Sequence, residues 1–167
     1  MAITVTKRTG KKENLDLEKL HKVVFWATEG ITGVSASQVE LKSHIQFYNG
    51  ISTKNIQETL IKSAADLITE ETPNYQFVAG RLINYSLRKE VYRQFKPCDI
   101  YEIVVKNVNN GFYDPELLHE YTEGEWNYIN NFIKHHRDED FTYVAMEQFR
   151  GKYLVQNRIT KEIFETP

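Results

Sequence analysis

The sequence predicts a mainly α fold with a small β component (α+β), and three observations predict it. A run from Val5 to Leu15 doubles back at Thr9-Gly10 and feeds straight into a helix. Capped helical periods then follow one another up to about Gln94. After Pro97 the chain becomes aromatic and irregular, with short helical stretches. The expected organisation is four helices capped by a small sheet over 1–95, then a helical segment over 96–167 that ends in a β-hairpin.

The first strand closes on Val5, Lys7 and Arg8, and Gly10 supplies the positive φ of a tight turn. Lys11 to Leu15 returns as the second strand. Asp16 is placed to cap a helix from Leu17 to Glu29, with Leu17, Leu20, Val24 and Ala27 on its inner face and Gly30 at its end. Ser35 and Gln38 read as a capping box for the second helix, with Val34 stapled to Val39 and Leu41, Ile45 and Tyr48 inward. Asn49-Gly50 stops it. Ile51-Ser52 reads as a third strand. Thr53 then caps a helix that turns Ile56, Leu60, Ala64 and Leu67 inward. Thr72 and Pro73 open a long fourth helix, Asn74 to about Gln94, which Pro97 ends. Later helices are expected at Asp99–Asn109, Pro115–His119, Glu123–His135 and Thr142–Arg150, with Thr122 and Glu125 as a capping box. Tyr153–Gln156 and Glu162–Phe164 read as the closing hairpin.

Composition excludes several functions. At 167 residues, with 41% hydrophobic and 26% charged residues, the chain has ordinary globular character. A net charge of −2 gives no global electrostatic case for nucleic acid. No signal peptide and no apolar run of about 20 residues is present, so neither secretion nor membrane insertion is expected, and a cytoplasmic location is. Cys98 is the only cysteine, which rules out internal disulfides and a cysteine metal site and suits a reducing compartment. His135-His136 with Asp138, Glu139 and Asp140 reads as a polar connector rather than a metal site, because adjacent helical histidines diverge. No metal ligands and no catalytic residues are expected.

The hairpin gathers Lys7, Arg8, Lys11, Lys12 and Lys19 around a helix N-terminus. Cations and backbone donors together suit a polyphosphate, although charge alone would read as a solvated surface. The pattern V-x-K-R-x-G, followed by Glu13, Asp16 and Lys19-Leu20, resembles the N-terminal ATP-cone of class I ribonucleotide reductase large (alpha) subunits. W-A-T-E-G at 26–30, Q-V-E-L-K-S-H-I-Q-F-Y at 38–48, I-K-S-A-A-D-L-I at 61–68 and K-Y-L-V-Q-N-R-I-T at 152–160 extend the resemblance over the whole chain.

The resemblance implies an ATP-cone at 1–95 and, at 96–167, the incomplete N-terminal helical segment of the reductase catalytic domain. It further implies that Lys7, Arg8 and Lys89 meet phosphates. Glu13 and Asp16 would hold adenine in a slot of Val5, Leu15, Leu20 and Ile56, and Thr53 and Lys19 would lie near ribose and phosphate. ATP or dATP would be the allosteric effector, with Mg2+, and no catalytic cofactor is expected. The implied partners are the remainder of the large subunit, on a separate chain or in deleted sequence, and the radical-bearing small subunit. Neither nucleic acid nor membrane is an expected partner.

Asn55, Gln57 and Ser86 depart from the acidic residue and two histidines common in the family. That leaves an alternative: a degenerate cone acting only as a folding or assembly module. One cysteine cannot supply the thiyl radical and redox pair of the reductase, so regulation rather than catalysis is expected of this chain. The sequence stops where the family continues into its barrel, as a truncated chain or a split-gene product would.

Overall fold

The computed structural model describes residues 3–167. Its sheet has three strands in the order β2-β1-β3: β1 (Thr4–Thr6), β2 (Lys12–Asn14) and β3 (Ile51–Ser52). β1 and β2 are antiparallel, with Val5 opposite Glu13. β3 runs parallel to β1, with Ile51 beside Val5. Gly10 turns the hairpin at φ 82°, a conformation that costs a glycine little because it has no Cβ. Asn49 ties the loop before β3 to β1, its Oδ1 accepting from the Thr4 amide at 2.9 Å.

Four helices belong to the same part of the chain, α1 (Leu17–Thr28), α2 (Ala36–His44), α3 (Thr53–Ala65) and α4 (Tyr75–Val91), with α1 and α3 each packed on α2 and α4. Asp16 caps α1 as expected, its Oδ1 accepting from the Lys19 amide at 3.1 Å. Leu20, Val24 and Ala27 are buried there, whereas Leu17, in the first turn, lies 53% exposed.

Three expected caps are not formed. Ser52, not Thr53, caps α3, its hydroxyl accepting from the Asn55 amide at 3.0 Å. At α2 the Ser35–Gln38 box gives way to a long-range bridge. The Ser35 amide donates to the Tyr75 hydroxyl, and that hydroxyl donates to Gln38 Oε1 at 2.8 Å. Tyr75 is 1% exposed, so this bridge fixes α2 to the start of α4 from inside the core. Thr72 does not cap α4, because its hydroxyl donates to the Leu67 carbonyl at 2.7 Å.

The inward face of α2 also differs from expectation. Leu41, Ile45 and Tyr48 are exposed, at 69%, 80% and 56%, while Val39 and Ser43 are buried. The helix ends at His44, so Ile45 and Tyr48 never continue its face. Ser43 can be buried because its hydroxyl donates to the Glu40 carbonyl.

The rest of the chain forms α5 (Ile100–Asn109), α6 (Leu117–Glu120), α7 (Glu123–Phe132), a 3-10 segment (His135–Asp140), α8 (Tyr143–Gln148) and a π turn (Phe149–Tyr153). The Thr122–Glu125 capping box is complete. Where a closing hairpin was expected, a single antiparallel bridge pairs Gln156 with Ile163.

This segment lies along α4 and shares its core: Met146, Leu154 and Ile163 join the buried cluster of Leu60, Ile83 and Leu87. Gly80 makes the approach possible, since a Cβ there would stand 2.1 Å from the Phe141 carbonyl oxygen. Arg88, 4% exposed, donates to the His135 carbonyl at 2.9 Å and to Asp138 Oδ2 at 3.2 Å. Arg150 donates to both Glu58 of α3 and Glu147 of α8.

Candidate functional site

The sheet edge, the N-terminus of α1, the start of α3 and the end of α4 carry the eleven residues singled out from the sequence. Four are apolar. Val5, Leu20 and Ile56 are buried at 4%, 6% and 6%, and Leu15 packs half-buried against the same core. They line the underside of the sheet, so core packing fully accounts for their placement.

The polar residues form short, local pairs. Lys7 Nζ lies 2.8 Å from Glu13 Oε2 across the hairpin. That hydrogen bond holds the Glu13 carboxyl below its ordinary range. Lys19 Nζ lies 3.1 Å from Asp16 Oδ2. The Lys19 amide, donating to Asp16 as the helix cap, holds that carboxyl low, and the carboxylate in turn raises the Lys19 ammonium. Both pairs are solvent-accessible.

Arg8 reaches across to α4 and donates from Nη1 to the Lys89 carbonyl at 2.6 Å. This contact spans 81 residues of sequence and brings the hairpin cations to the end of α4. Lys89 is half-buried there. Thr53 is the first residue of α3, directly after the Ser52 cap. The hairpin and the two helix ends are thus brought together, with Arg8 and Lys89 in direct contact.

Several neighbours were not evident from the sequence reading. Tyr85 stands one turn before Lys89, and burial raises its hydroxyl pKa while Arg8 opposes the shift. Tyr85, Trp26 and Phe95 form an aromatic cluster, with Trp26 and Phe95 edge to face at 4.9 Å. Arg88 lies over the Phe95 ring at 5.3 Å. The i,i+4 spacing of Tyr85 and Lys89 was the available signal. Gln57 Oε1 is buried without a hydrogen-bond partner, and Ser86 is 7% exposed. Asn55 Nδ2 donates to the Tyr48 hydroxyl at 3.3 Å.

A cavity of about 350 Å³ is lined by Lys54 and Glu58 of α3, Ser86 and Glu90 of α4, and Arg150 and Lys161 among others. None of the eleven residues lines it, although its Lys54 and Glu90 adjoin Thr53 and Lys89 in the chain. Among the described residues, no three His, Cys, Asp or Glu side chains are grouped to hold a metal ion. None of the described helices is long and apolar enough to cross a membrane.

Comparison with known proteins bears on the same region. Residues 3–90 match the ATP cone domain, a span that contains all eleven residues above. The chain is 54% identical over 164 residues to the ribonucleoside-diphosphate reductase 1 subunit alpha of Escherichia coli, covering 98% of this chain and 22% of that protein. It is 41% identical over 167 residues to the alpha subunit of Enterobacteria phage T4, covering 99% and 22%. With the Helicobacter pylori alpha subunit it shares 35% identity over 156 residues, covering 93% and 19%. The chain therefore spans about a fifth of the length of the curated relatives it matches. Through residues 3–90 it belongs to the ATP-cone family, and over nearly its whole length it is related to the alpha subunits of ribonucleoside-diphosphate reductases.

Proposed function

We propose that residues 1–95 are an allosteric activity domain that binds ATP or dATP, with Mg2+, for a ribonucleoside-diphosphate reductase. Residues 96–167 would be the first helical segment of its catalytic domain. The observation that carries this reading is the ATP-cone match over 3–90, which contains the contact between the hairpin and the end of α4. Lys7, Arg8 and Lys89 would take the phosphates, and Lys19 and Thr53 would lie near ribose and phosphate. Glu13 and Asp16 would face adenine against Val5, Leu15, Leu20 and Ile56. These residue types fit the ligand: cations pair with oxyanions, and a base needs an apolar wall with a few polar groups.

Regulation would be a population shift. A nucleotide that binds one arrangement of the cone more tightly biases the assembly toward it, by no more than its differential affinity. The partners would be the remainder of the large subunit and the radical-bearing small subunit, in the cytoplasm. Deoxyribonucleotide synthesis would belong to that assembly, because a single cysteine, Cys98, cannot run the reductase's radical and redox chemistry.

A second reading is supported by the pairing within the site. Lys7 is held by Glu13, Lys19 by Asp16, and Arg8 by the Lys89 carbonyl. A nucleotide must exchange these contacts for its own, and a cone that no longer does so would act only in folding and assembly. Calorimetric titration of the chain with ATP and with dATP, each with Mg2+, separates the two. Saturable binding of either nucleotide, lost when Lys7 and Lys89 are both replaced by alanine, supports the first reading. Absence of binding by both nucleotides supports the second.

A further inference from the structure

Away from the cone, a bowl of about 380 Å³ opens where the N-terminal ends of α5 and α7 meet. Its walls are aromatic. The Tyr101 and Trp126 ring centroids are 5.5 Å apart with their planes at 56°, and Tyr121 stands 5.2 Å from Trp126 at 70°. Rings meeting at such angles enclose a space instead of stacking on one another. Trp126 lines the bowl, and its Nε1 is buried without a partner. Tyr101 and Tyr121 remain 43% and 40% exposed, which leaves the bowl open to solvent.

Two carboxylates, Asp99 and Glu123, complete the charge pattern, and none of the lining residues is basic. Asp99 is held in place as the cap of α5, accepting from the Tyr101 amide at 2.8 Å. Among the described residues neither carboxylate takes part in an ion pair. The other cavity is a useful contrast, because its Glu58 and Glu147 are already satisfied by Arg150 of this chain. At the aromatic bowl the acids are present and the cation is missing.

Aromatic faces and carboxylates both attract a cation and repel a phosphate. Of the biological cations, a guanidinium matches best. It is planar, so it stacks on an indole face, and its fork of N–H donors pairs with a carboxylate at the same time. We propose that this bowl binds an arginine side chain presented by a partner polypeptide. Asp99 and Glu123 pair with the guanidinium, and Trp126, Tyr101 and Tyr121 enclose its faces and stem.

The chain has two tryptophans, so in a Trp26→Phe background the emission of the full chain reports Trp126 alone. The probes are N-acetyl-arginine amide and its uncharged counterpart, N-acetyl-citrulline amide. The expected result is a saturable emission change with the arginine amide, weakened by added salt, and binding at least about tenfold weaker for the citrulline amide. Glu123→Gln, at an exposed position, and Asp99→Asn, which keeps a capping side chain, should each weaken arginine binding several-fold while leaving the urea midpoint in place. Equal affinity for both probes, no saturable change with arginine, or unchanged affinity in both carboxylate variants would overturn the proposal. So would a preference for adenosine monophosphate, which would make the bowl a base-stacking site.

Discussion

Gly80→Ala should destabilise the protein, and the structure supplies the magnitude. Gly80 lies mid-helix in α4, where alanine is favoured over glycine by about 1 kcal/mol on propensity alone. Against that, the new Cβ would stand 2.1 Å from the Phe141 carbonyl oxygen, 3.1 Å from the Thr142 carbonyl carbon and 3.2 Å from the Phe141 carbonyl carbon. All three obstacles are backbone, so no rotamer change relieves them. Overpacking of one methyl group typically costs about 1–3 kcal/mol, and an oxygen more than 1 Å inside contact distance belongs at or above the upper end of that range. A net loss of about 2 kcal/mol is expected. Gly124→Ala provides the opposite case, because Gly124 is in α7 and its Cβ would meet nothing within 4 Å. That variant should gain about 0.5–1 kcal/mol from helix propensity and reduced freedom of the unfolded chain. Urea titrations of both variants beside the parent give the two signs. Gly80→Ala within 0.5 kcal/mol of the parent would mean that the contact between α4 and residues 141–142 is not tight in solution.

Four further outcomes are expected. Arg88→Met should cost about 3–5 kcal/mol, since it takes the guanidinium from the buried Asp138 and leaves it only His135 Nδ1, 3.9 Å away; replacing Arg88 and Asp138 together by Met and Leu should recover much of that loss in the same urea assay. Lys7→Ala or Lys89→Ala should weaken ATP binding by about 1.5–3 kcal/mol, the worth of a charge-assisted contact, and unchanged calorimetric affinity in both variants would remove them from the site. ATP and dATP should bind within about tenfold of each other, because one neutral hydrogen bond from the 2′-hydroxyl, for instance to the unpartnered Gln57 Oε1, contributes only about 0.5–1.5 kcal/mol; strong discrimination in the titration would point to further contacts. Burial lowers the His135 pKa, so the unfolded chain takes up the proton first, and stability present above about pH 6.5 is lost as pH falls through the folded value. Burial raises the neighbouring Asp138 carboxyl, which acts in the opposite direction, its contribution being lost as pH rises through the folded value. His135→Gln should therefore flatten the fall in urea midpoint between neutral pH and pH 5.5, and an unchanged fall would assign it to other groups.

Several features decided within one turn of chain were legible in the sequence, although the cap of α3 falls one residue earlier than expected, on Ser52. Asp16 and Thr122 cap their helices through side-chain bonds to amides three residues on, and Gly10 and Gly30 take the positive φ that a turn and a helix end require. Features decided by a distant partner were not. The start of α2 is held by Tyr75, forty residues from Ser35, and no local pattern announces a tyrosine hydroxyl in place of a capping box. The same holds for the inward face of α2. Its apolar residues suggested Leu41, Ile45 and Tyr48, but nine helical residues pack only Val39 and Ser43 fully inward.

The candidate nucleotide site shows the same division. Its cations lie in one short run, so their clustering on a hairpin could be read from Lys7, Arg8 and the turn at Gly10. Local pattern does not join them to Lys89, 81 residues on from Arg8; the family resemblance does, and in the fold Arg8 donates to the Lys89 carbonyl. The aromatic bowl lies further from view. Asp99, Tyr101, Tyr121 and Trp126 are spread over 28 positions of an irregular stretch, and separately each has an ordinary reading: a cap, an exposed tyrosine, a half-buried tryptophan. They acquire a common chemistry only because α5 packs against α7, where Asn130 Oδ1, near the C-terminal end of α7, accepts from the Ile100 amide at 3.0 Å. That bond ties the start of α5, next to Tyr101, to the helix that carries Trp126. A pocket held this way needs little ordering to receive a ligand, and binding to preformed walls retains more of its contact energy than binding that must assemble them.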